Sequence, residues 1–569
     1  MANGETKLPT ELWAQCWSRS SPRNLRGLTL VCRYFRTVCQ PLLFQNLEIQ
    51  APDPEDVDRT NWMYFARRIH RSTLRFAHIS GSAHVSSVRS IGFSGRFDFG
   101  SLVEMHPAIV NIHRVEEMYL TLLHSFLDTL GNYQNLRSLR LTQLTLDTQV
   151  RDALVSLGRL ESLELITCDI VVRSGFSLPL QEFKVIRWWA IVDDEVTSSP
   201  LNIVSPEALR ALTLVGHRNC GAVLSALIGH QELCPNLTTL SIELWDPFAV
   251  AFLAFLESCP QLEKLEILKS SLSGPLGTRL PLAAIPRLQS FKGPRLLAAF
   301  FVSGRPVSTV ELLGGSGFKD ENKPTTKDIV RDLEDIGHAS PGASSFTIAA
   351  GVPDALGIIT ATSSQWPDLR RLCLLLKVTP PTRRFWDPDA SDLDIDEEGE
   401  DRYPDEDESL DERSLHLSDD DSLDFPSFGY PDIRLPPDPD EGPLCTFDNL
   451  ISGHMYTIYG KVSPPPAPST APASQAPNSL RDLISSICAD LATFPPALEY
   501  LHLSQSRPVY SSSQSLDAED GHRLVLALER QLPALRELEL SDRTWWRYRD
   551  TWTEWASGTK IASLITSAE

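Results

Sequence analysis

The sequence predicts an α/β solenoid, in which parallel strands form a concave face and helices lie on the convex face. A short helical module precedes this array, and a disordered insertion, first acidic and then proline-rich, interrupts it. Three observations predict this fold. An apolar triplet of the form L-x-x-L-x-L recurs, with steps of 19 to 29 residues between its first nine members. Amphipathic segments separate the triplets, and one segment carries almost all of the net charge. The predicted parts are 1–50 (helical module), 51–114 (connector and degenerate first repeats), 115–378 (repeats), 379–478 (insertion) and 479–569 (last repeats and an aromatic cap).

The N-terminal module is predicted from the order of its parts. Leu8-Pro9-Thr10-Glu11-Leu12 opens it, Val31-Cys32-Arg33-Tyr34-Phe35-Arg36 lies near its end, and Pro41-Leu42-Leu43-Phe44 closes it. Pro9 suits the first position of a helix, and Glu11 suits its positive end. Apolar residues then recur at three- and four-residue spacings, as on one face of a helix. A segment this short cannot bury all of them, so some stay exposed or meet a partner.

This order of parts resembles the F-box, a helical module of about the same length. The resemblance implies that the module docks the Skp-type adaptor of a cullin–RING ubiquitin ligase. The adaptor-binding residues that it implies are Leu8, Pro9, Leu12, Leu28, Val31, Cys32, Phe35, Pro41, Leu42 and Phe44. Trp13 and Trp17 depart from the family pattern, in which a smoother aliphatic helix is usual. The alternative is a helical cap that only covers the first repeat.

The apolar triplets predict strands, because their second and third residues lie two apart and point to the same side. The regular triplets are Leu136/Leu139/Leu141, Leu160/Leu163/Leu165, Leu180/Phe183/Val185, Leu209/Leu212/Leu214, Leu237/Leu240/Ile242, Leu262/Leu265/Ile267, Val307/Val310/Leu312, Leu369/Leu372/Leu374, Leu498/Leu501/Leu503 and Leu535/Leu538/Leu540. Val115/Met118/Leu120 fits as an early member, and Leu288/Phe291/Gly293 is degenerate. The period is close to that of leucine-rich repeats, and its irregular steps resemble the divergent arrays of fungal F-box proteins.

Amphipathic segments between the triplets predict helices at 149–157, 222–233, 247–258, 327–336, 480–491 and 519–532. Several end just before a proline, which cannot continue a helix. The residue between the last two apolar positions of each triplet points outward, so these residues are candidate contacts for a macromolecular target. They are Arg140, Glu164, Lys184, Thr213, Ser241, Glu266, Cys373, His502 and Glu539. The alternative for each is an ordinary solvated side chain.

The insertion explains the net charge of −22. Asp387–Glu441 holds 23 acidic and 3 basic residues, a balance of −20, which leaves 51 acidic and 49 basic residues in the rest of the chain. Its acidic and proline-rich composition predicts disorder, with an extra strand possible at Phe447–Val462. Ser409 and Ser418 are candidate phosphorylation sites because acid-directed kinases favour such surroundings. The alternative is a passive solvated loop.

The C-terminal region is rich in aromatic residues. Trp545, Tyr548, Trp552 and Trp555 lie three, four and three residues apart, which predicts a helix with one aromatic face. We expect this helix to cap the exposed core of the last repeat, as solenoids require. The alternative is a ligand site.

The sequence contains no motif that predicts catalysis. HExxH, GxSxG, GxGxxG and GxxxxGK[ST] are all absent, and the thirteen histidines have no metal-binding spacing. We therefore expect no enzyme activity, cofactor or metal. The near-neutral balance outside the insertion argues against a nucleic-acid partner. No apolar run is long enough for a membrane span, no signal peptide is evident, and the ten cysteines form no CxxC pair, so we expect a cytoplasmic or nuclear location.

The F-box resemblance implies a substrate-recruiting subunit of an SCF-type ubiquitin ligase, with the module on the adaptor and the array on a protein target. The alternative is a non-catalytic leucine-rich-repeat scaffold that does not join a ligase. A third class, an enzyme with an unrecognised site on the array, has no motif in its favour. The first two differ in whether the apolar residues of 8–47 are exposed or are buried against the first repeat.

Overall fold

The computed structural model describes residues 9–51, 62–95, 112–170, 176–186, 202–229, 234–272, 276, 280–313, 325–377, 479–506, 518–540, 543–548 and 551–556. The chain divides into two units, residues 1–380 with 476–569 and residues 381–475, and the described residues all belong to the first unit. Leu8, the candidate phosphorylation sites Ser409 and Ser418, and the predicted strand at Phe447–Val462 lie outside the described residues.

The described part of the chain is a mixed α/β structure with a mostly parallel sheet. Its helices are α1 Thr10–Trp17, α2 Pro22–Val31, α3 Arg33–Leu43, α4 Trp62–Ser80, α5 Ile112–Leu130, α6 Thr148–Val155, α7 His217–Gly229, α8 Ala249–Glu257, α9 Arg295–Val302, α10 Thr326–Ala339, α11 Ala355–Gln365, α12 Leu480–Cys488 and α13 Ala518–Gln531. From α4 onward most helices follow one strand and precede the next, so the chain alternates between helix and strand.

Sixteen of the strands form one sheet, in the order β1-β2-β3-β5-β7-β8-β9-β10-β11-β12-β13-β14-β15-β16-β17-β18. The strands are β1 Asn46–Gln50, β2 Ser90–Ser94, β3 Ser138–Thr142, β4 Thr145–Leu146, β5 Ser162–Ile166, β6 Asp169–Ile170, β7 Glu182–Ile186, β8 Ala211–Val215, β9 Thr239–Trp245, β10 Lys264–Ser271, β11 Ser290–Pro294, β12 Thr309–Leu313, β13 Ser345–Gly351, β14 Arg371–Lys377, β15 Tyr500–Ser506, β16 Glu537–Leu540, β17 Arg543–Tyr548 and β18 Thr551–Ala556. All neighbours pair in parallel up to β16, and β4 and β6 form a separate parallel pair.

A repeated backbone contact fixes the register at the start of the strands. The carbonyl oxygen of Gln45 accepts hydrogen bonds from the N–H groups of Arg89 (2.8 Å) and Ser90 (3.0 Å) of the next strand. The same double contact recurs from strand to strand as far as Glu499, whose carbonyl accepts from Arg536 and Glu537. Because a one-residue slip would turn each apolar side chain to the other face, this register keeps every strand's apolar set on the same side.

One continuous core runs along the sheet, between the strands and the helices. The triplet leucines that face the helices are fully buried, as Leu139, Leu163 and Leu265 illustrate with exposed fractions of 0%. Near its start, Phe93 on β2 stacks on Phe126 of α5 with ring centroids 4.2 Å apart. Each such side chain contributes about 1.5–3 kcal/mol by leaving water, so the core accounts for most of the sheet's stability.

The ten regular triplets and the degenerate one at Leu288 all fall at strands, which confirms those predictions. The early triplet at Val115 is wrong, because it lies within α5, where buried Tyr119, Leu122 and Phe126 follow a helical period. Of the strands that the triplets do not predict, three have the same spacing: Phe44/Leu47/Ile49, Val88/Ile91/Phe93 and Ala343/Phe346/Ile348. The sheet therefore starts at Asn46 and not near residue 115.

The predicted C-terminal aromatic helix is wrong. Residues 543–548 and 551–556 form β17 and β18, an antiparallel hairpin that continues the sheet beyond β16. Aromatic residues and threonine, as at Trp545 and Thr551, favour strands, and this outweighs the helical spacing. Trp545 is 4% exposed and joins the core. A Cβ atom at Gly521 of α13 would lie 2.9 Å from its Cζ2 atom, so glycine is needed there to seat the ring.

Candidate partner-binding surfaces

Aromatic rings hold helix α1 against helix α3. Trp13 stacks on Trp17 with centroids 4.8 Å apart, and Trp17 meets Phe35 edge-on at 4.9 Å. Trp13 lies 5.9 Å from the same ring. The two tryptophans that depart from the F-box pattern therefore pack α1 against α3. Ring pairs of this kind add about 0.5–1.5 kcal/mol each beyond the area they bury.

Two side chains define the helix starts within this module. The hydroxyl of Ser21 accepts a hydrogen bond from the N–H of Asn24 (3.3 Å) at the start of α2, where Pro22 takes the first helical position. The Cys32 sulfur accepts from the N–H of Phe35 (3.4 Å) at the start of α3. Cys32 is in an extended conformation, so the chain turns sharply between Val31 and α3.

The turn between α2 and α3 presents large apolar side chains to solvent. Leu30 is 80% exposed, Val31 66%, Leu12 45% and Tyr34 40%. Leu25, Val38 and Cys39 are buried and serve as the small internal core of the module. We call the four exposed side chains Leu12, Leu30, Val31 and Tyr34, which come from α1, the end of α2 and the start of α3, the apolar corner. Exposed apolar residues that are grouped rather than scattered are typical of sites for protein partners.

The adaptor-binding residues that the F-box resemblance implies fall into two groups in the structure. Pro9, Leu12, Val31 and Cys32 are exposed, whereas Leu28, Phe35, Pro41, Leu42 and Phe44 are half-buried. Phe44 stacks on His84 at 5.0 Å and packs against the main core, so it lies at the junction between the module and the sheet. Leu30 and Tyr34 were not selected from the sequence. Leu30 directly precedes Val31, which was among the predicted residues, but nothing in the sequence distinguished Leu30 or Tyr34 as exposed.

A second surface lies on the face of the sheet opposite the helices. Strand register places one residue per strand in a single line across it, which we call the polar row: Glu48, Gly92, Arg140, Glu164, Lys184, Thr213, Ser241, Glu266, Lys292, Glu311, Thr347, Cys373, His502 and Glu539. All nine candidate target contacts from the sequence lie in this row. Their side chains point away from the core because neighbours along a strand alternate between faces.

Glu164 joins the charged side chains in the first part of the polar row. Its carboxylate pairs with Arg140 (Nε to Oε2, 2.6 Å) and with Lys184 (Nζ to Oε1, 2.7 Å), two residues from neighbouring strands. Burial alone would raise the pKa of Glu164, but hydrogen bonds from Lys184 and Arg140 outweigh it and lower the pKa. Gly92 stands between Glu48 and Arg140, and a Cβ atom there would collide with the Glu48 carboxylate. Glycine thus lets the charged side chains meet across β2.

Charged and polar side chains in the middle of the polar row also pair with one another. The Ser241 hydroxyl donates to Glu266 Oε2 at 2.6 Å, and Lys264 meets the other oxygen at 2.8 Å. Lys292 pairs with Glu311 at 2.7 Å. Burial works to raise the pKa of Glu266, yet the hydrogen bonds from Lys264 and Ser241 lower it overall. Opposite charges thus alternate along adjacent strands, a favourable cross-strand arrangement.

The last three parallel strands, β14, β15 and β16, carry a denser cluster of interacting side chains. The Tyr500 hydroxyl donates to Glu539 Oε2 (2.6 Å), and the Arg371 guanidinium lies 4.5 Å above the Tyr500 ring. His502 Nδ1 lies 3.2 Å from the Cys373 sulfur and 3.7 Å from Glu539 Oε2. Tyrosine and arginine side chains in such settings are frequent sources of binding energy at protein interfaces.

The geometry of this cluster does not suit nucleophilic attack by Cys373. Burial raises the pKa of the Cys373 thiol to about 11, and burial lowers the pKa of His502 although Glu539 opposes it. At neutral pH the sulfur is therefore a thiol and the imidazole is uncharged. Cys373 and Glu539 also approach the same ring nitrogen, so the ring cannot relay a proton between them as in a catalytic triad.

Histidine, cysteine, aspartate and glutamate side chains of the described ranges form no group of three that could hold a metal ion. None of the helices that the structure describes has the length and hydropathy needed to cross a membrane. The chain matches no protein-family model and no curated protein.

Proposed function

We propose that this protein is the substrate-recruiting subunit of an SCF-type ubiquitin ligase. In this proposal the module α1–α3 docks a Skp-type adaptor, and the polar row contacts a protein target. The observation that carries it is the apolar corner, where Leu30 and Val31 are 80% and 66% exposed beside the residues that resemble an F-box. An isolated module that only capped the first strand would turn these side chains toward the sheet.

The proposal includes a finer interpretation of the fold, as a leucine-rich-repeat solenoid with a concave sheet. Its support is the recurrence of strand, loop and helix, the parallel pairing of β1 to β16, and the single core that each unit shares with its neighbours. Repeat arrays of this kind build extended surfaces for macromolecules. The charges of the polar row are suited to a polar target surface.

The proposed mechanism is proximity. A target held on the polar row and an adaptor held on the apolar corner are parts of one assembly, so a lysine of the target has a high effective concentration near the ubiquitin-carrying enzyme. No catalytic residue on this chain is required. The neutral thiol of Cys373 agrees with a binding role for the row.

The test is co-purification with a Skp-type adaptor, using the wild-type chain beside Leu30→Asp/Val31→Asp. We expect a stoichiometric complex with the wild type and none with the variant, because both side chains would be buried in the interface. The matched control is Val250→Asp/Leu296→Asp, which changes two residues that are 80% and 78% exposed on α8 and α9. This control should bind like the wild type.

Two results would overturn the proposal. A folded wild-type chain without a complex would leave the alternative, a repeat scaffold outside any ligase. A complex that survives Leu30→Asp/Val31→Asp would place the adaptor elsewhere on the chain. Near-ultraviolet circular dichroism of each variant separates loss of binding from loss of fold.

A further inference from the structure

The apolar corner lies within a strongly basic part of the chain. Residues 9–44 contain five arginines, Arg19, Arg23, Arg26, Arg33 and Arg36, and one acidic residue, Glu11, a balance of +4. All five arginines are exposed. The whole chain has a net charge of −22, so this module has the opposite sign. A charge asymmetry of this kind indicates a partner of the opposite charge.

The arginines occupy positions that do not favour the helices. Arg23 is the second residue of α2, and Arg33 is the first residue of α3. Helix N-termini carry partial positive charge, so a cation in the first turn is unfavourable and an acidic residue is preferred. Neither first turn contains an acidic residue. These two arginines therefore do not contribute to helix stability through the dipole.

Arg19, Arg23 and Arg33 have no counter-ion within the part of the chain that the structure describes. Among the described residues, the Nε atom of Arg36 donates only to the carbonyl of Thr29 at 3.4 Å. This differs from the polar row, where Arg140 and Lys184 share one carboxylate. Charges that neither pair internally nor stabilise their helix remain available to an external partner.

Arg23 and Arg33 lie on the two helices that carry most of the apolar corner. Arg33 lies between the exposed Val31 and Tyr34 in sequence, and Arg23 and Leu30 are on the same ten-residue helix. An apolar centre with a charged rim is the usual composition of a protein–protein interface. A nucleic acid would not use the exposed leucine and valine at the centre, because its interfaces are more polar and far more basic.

We propose that the partner covering the apolar corner is an acidic protein, whose pocket for Leu30 and Val31 is rimmed by aspartate and glutamate side chains. The inference rests on the proposed function and adds to it the chemistry of the adaptor's docking face. Arginine pairs with carboxylates through two parallel hydrogen bonds, so Arg23 and Arg33 fix the orientation of the partner as well as attracting it. Attraction between opposite charges accelerates association more than it changes final affinity.

The test measures association rates of the purified Skp-type adaptor with the wild type and with Arg23→Glu/Arg33→Glu by stopped-flow fluorescence. At 0.1 M NaCl we expect association at least tenfold slower for the variant. At 1 M NaCl the two rates should converge, because the Debye length falls from about 10 Å to about 3 Å. The matched control is Arg67→Glu/Arg71→Glu on α4, an equal change of charge at two exposed arginines of another helix.

Thermal unfolding of the variant distinguishes an effect of the arginines on folding from an effect on binding. Glutamate suits the first turn of a helix better than arginine, so thermal unfolding of Arg23→Glu/Arg33→Glu should occur at or above the wild-type temperature. A lower unfolding temperature would show that the arginines are structural and would overturn the inference. A wild-type chain that forms no complex would overturn the proposed function and this inference with it.

Three other results would overturn this inference alone. The first is a complex that forms equally fast with Arg23→Glu/Arg33→Glu. The second is equal slowing by the α4 control, which would assign the effect to the total charge of the chain. The third is binding of the wild type to vesicles of phosphatidylserine and phosphatidylcholine that the variant loses while its adaptor association is unchanged. That result would assign the arginines to an anionic membrane surface.

Discussion

Leu30 and Leu163 have the same side chain but opposite surroundings. Leu163, on β5, is 0% exposed within the core that runs along the sheet, whereas Leu30, at the end of α2, is 80% exposed. The two regions also treat charge differently. Arg140 on the sheet pairs with Glu164 at 2.6 Å, but Arg33 on the module has no ion pair with any described residue. The sheet buries or pairs these side chains internally, whereas the module exposes them to solvent.

The largest expected effect is the difference in free energy of unfolding between truncating Leu163 and truncating Leu30. Leu163→Ala should lower the free energy of unfolding by about 2–5 kcal/mol, because it removes buried methyl groups and leaves a cavity. Leu30→Ala should change the free energy by no more than about 0.5 kcal/mol, as exposed positions do. Urea unfolding of both variants measures the difference. Leu163→Met, which keeps the volume, is the control and should cost less than about 1.5 kcal/mol. Equal effects at the two positions would refute the contrast between the regions.

A smaller effect is expected from the paired charges of the sheet. Glu164→Gln should lower the free energy of unfolding at pH 7 by about 1–2 kcal/mol, since Arg140 and Lys184 lose their shared carboxylate. The folded-state pKa of Glu164 is lowered, so its carboxylate stabilises the fold above the unfolded value near 4.5, and this contribution is lost as the pH falls further. The difference between wild type and variant should therefore shrink when urea unfolding is repeated at pH 3.5.

Glu161 provides the control for this measurement. Its carboxylate lies 3.4 Å from Arg137, and both side chains are largely exposed. Glu161→Gln should change stability by less than about 1 kcal/mol, as exposed ion pairs do. A difference for Glu164→Gln that stays constant from pH 7 to pH 3.5 would contradict the assignment of the effect to its charge.

The smallest effect is expected at His502. Burial lowers its pKa in the folded state below the unfolded value near 6.5, with Glu539 opposing. The unfolded chain therefore binds the proton more readily, and stability should decline by less than about 1 kcal/mol as the pH falls through 6.5. His502→Asn should remove this decline, and NMR titration of the imidazole measures the pKa directly. A His502 pKa above 6.5 would show that Glu539 outweighs burial.

Much of the sheet could be predicted from the sequence because the strand signal is local. In each triplet the second and third apolar residues are two apart, and ten such triplets lie at strands. The strand at Phe346 was missed because alanine replaces leucine at the first position of its triplet. The prediction of a helix around Trp545 is wrong for a different reason. Spacings of three and four residues fit a helix, whereas the pairing with β16 that favours a strand is not local.

The candidate surfaces were predictable in different degrees. All nine predicted target contacts lie in the polar row, because alternation along a strand already fixes which side chains point away from the core. Their partners were not predictable, since Glu164 meets Arg140 and Lys184 only through the register of three strands. In the module, the sequence indicated that some apolar residues stay exposed, but not that Leu30 and Tyr34 are among them.

The sequence by itself determined the alternation of strands and helices and the order of polar and apolar residues along each strand. It also placed the acidic segment outside the repeat pattern. Only the tertiary structure decided which charges pair across strands, and that Val31 is exposed while Phe44 packs against the core. The reason is physical: periodicity acts between residues a few positions apart, whereas exposure and pairing depend on elements that are distant in the chain and adjacent in space.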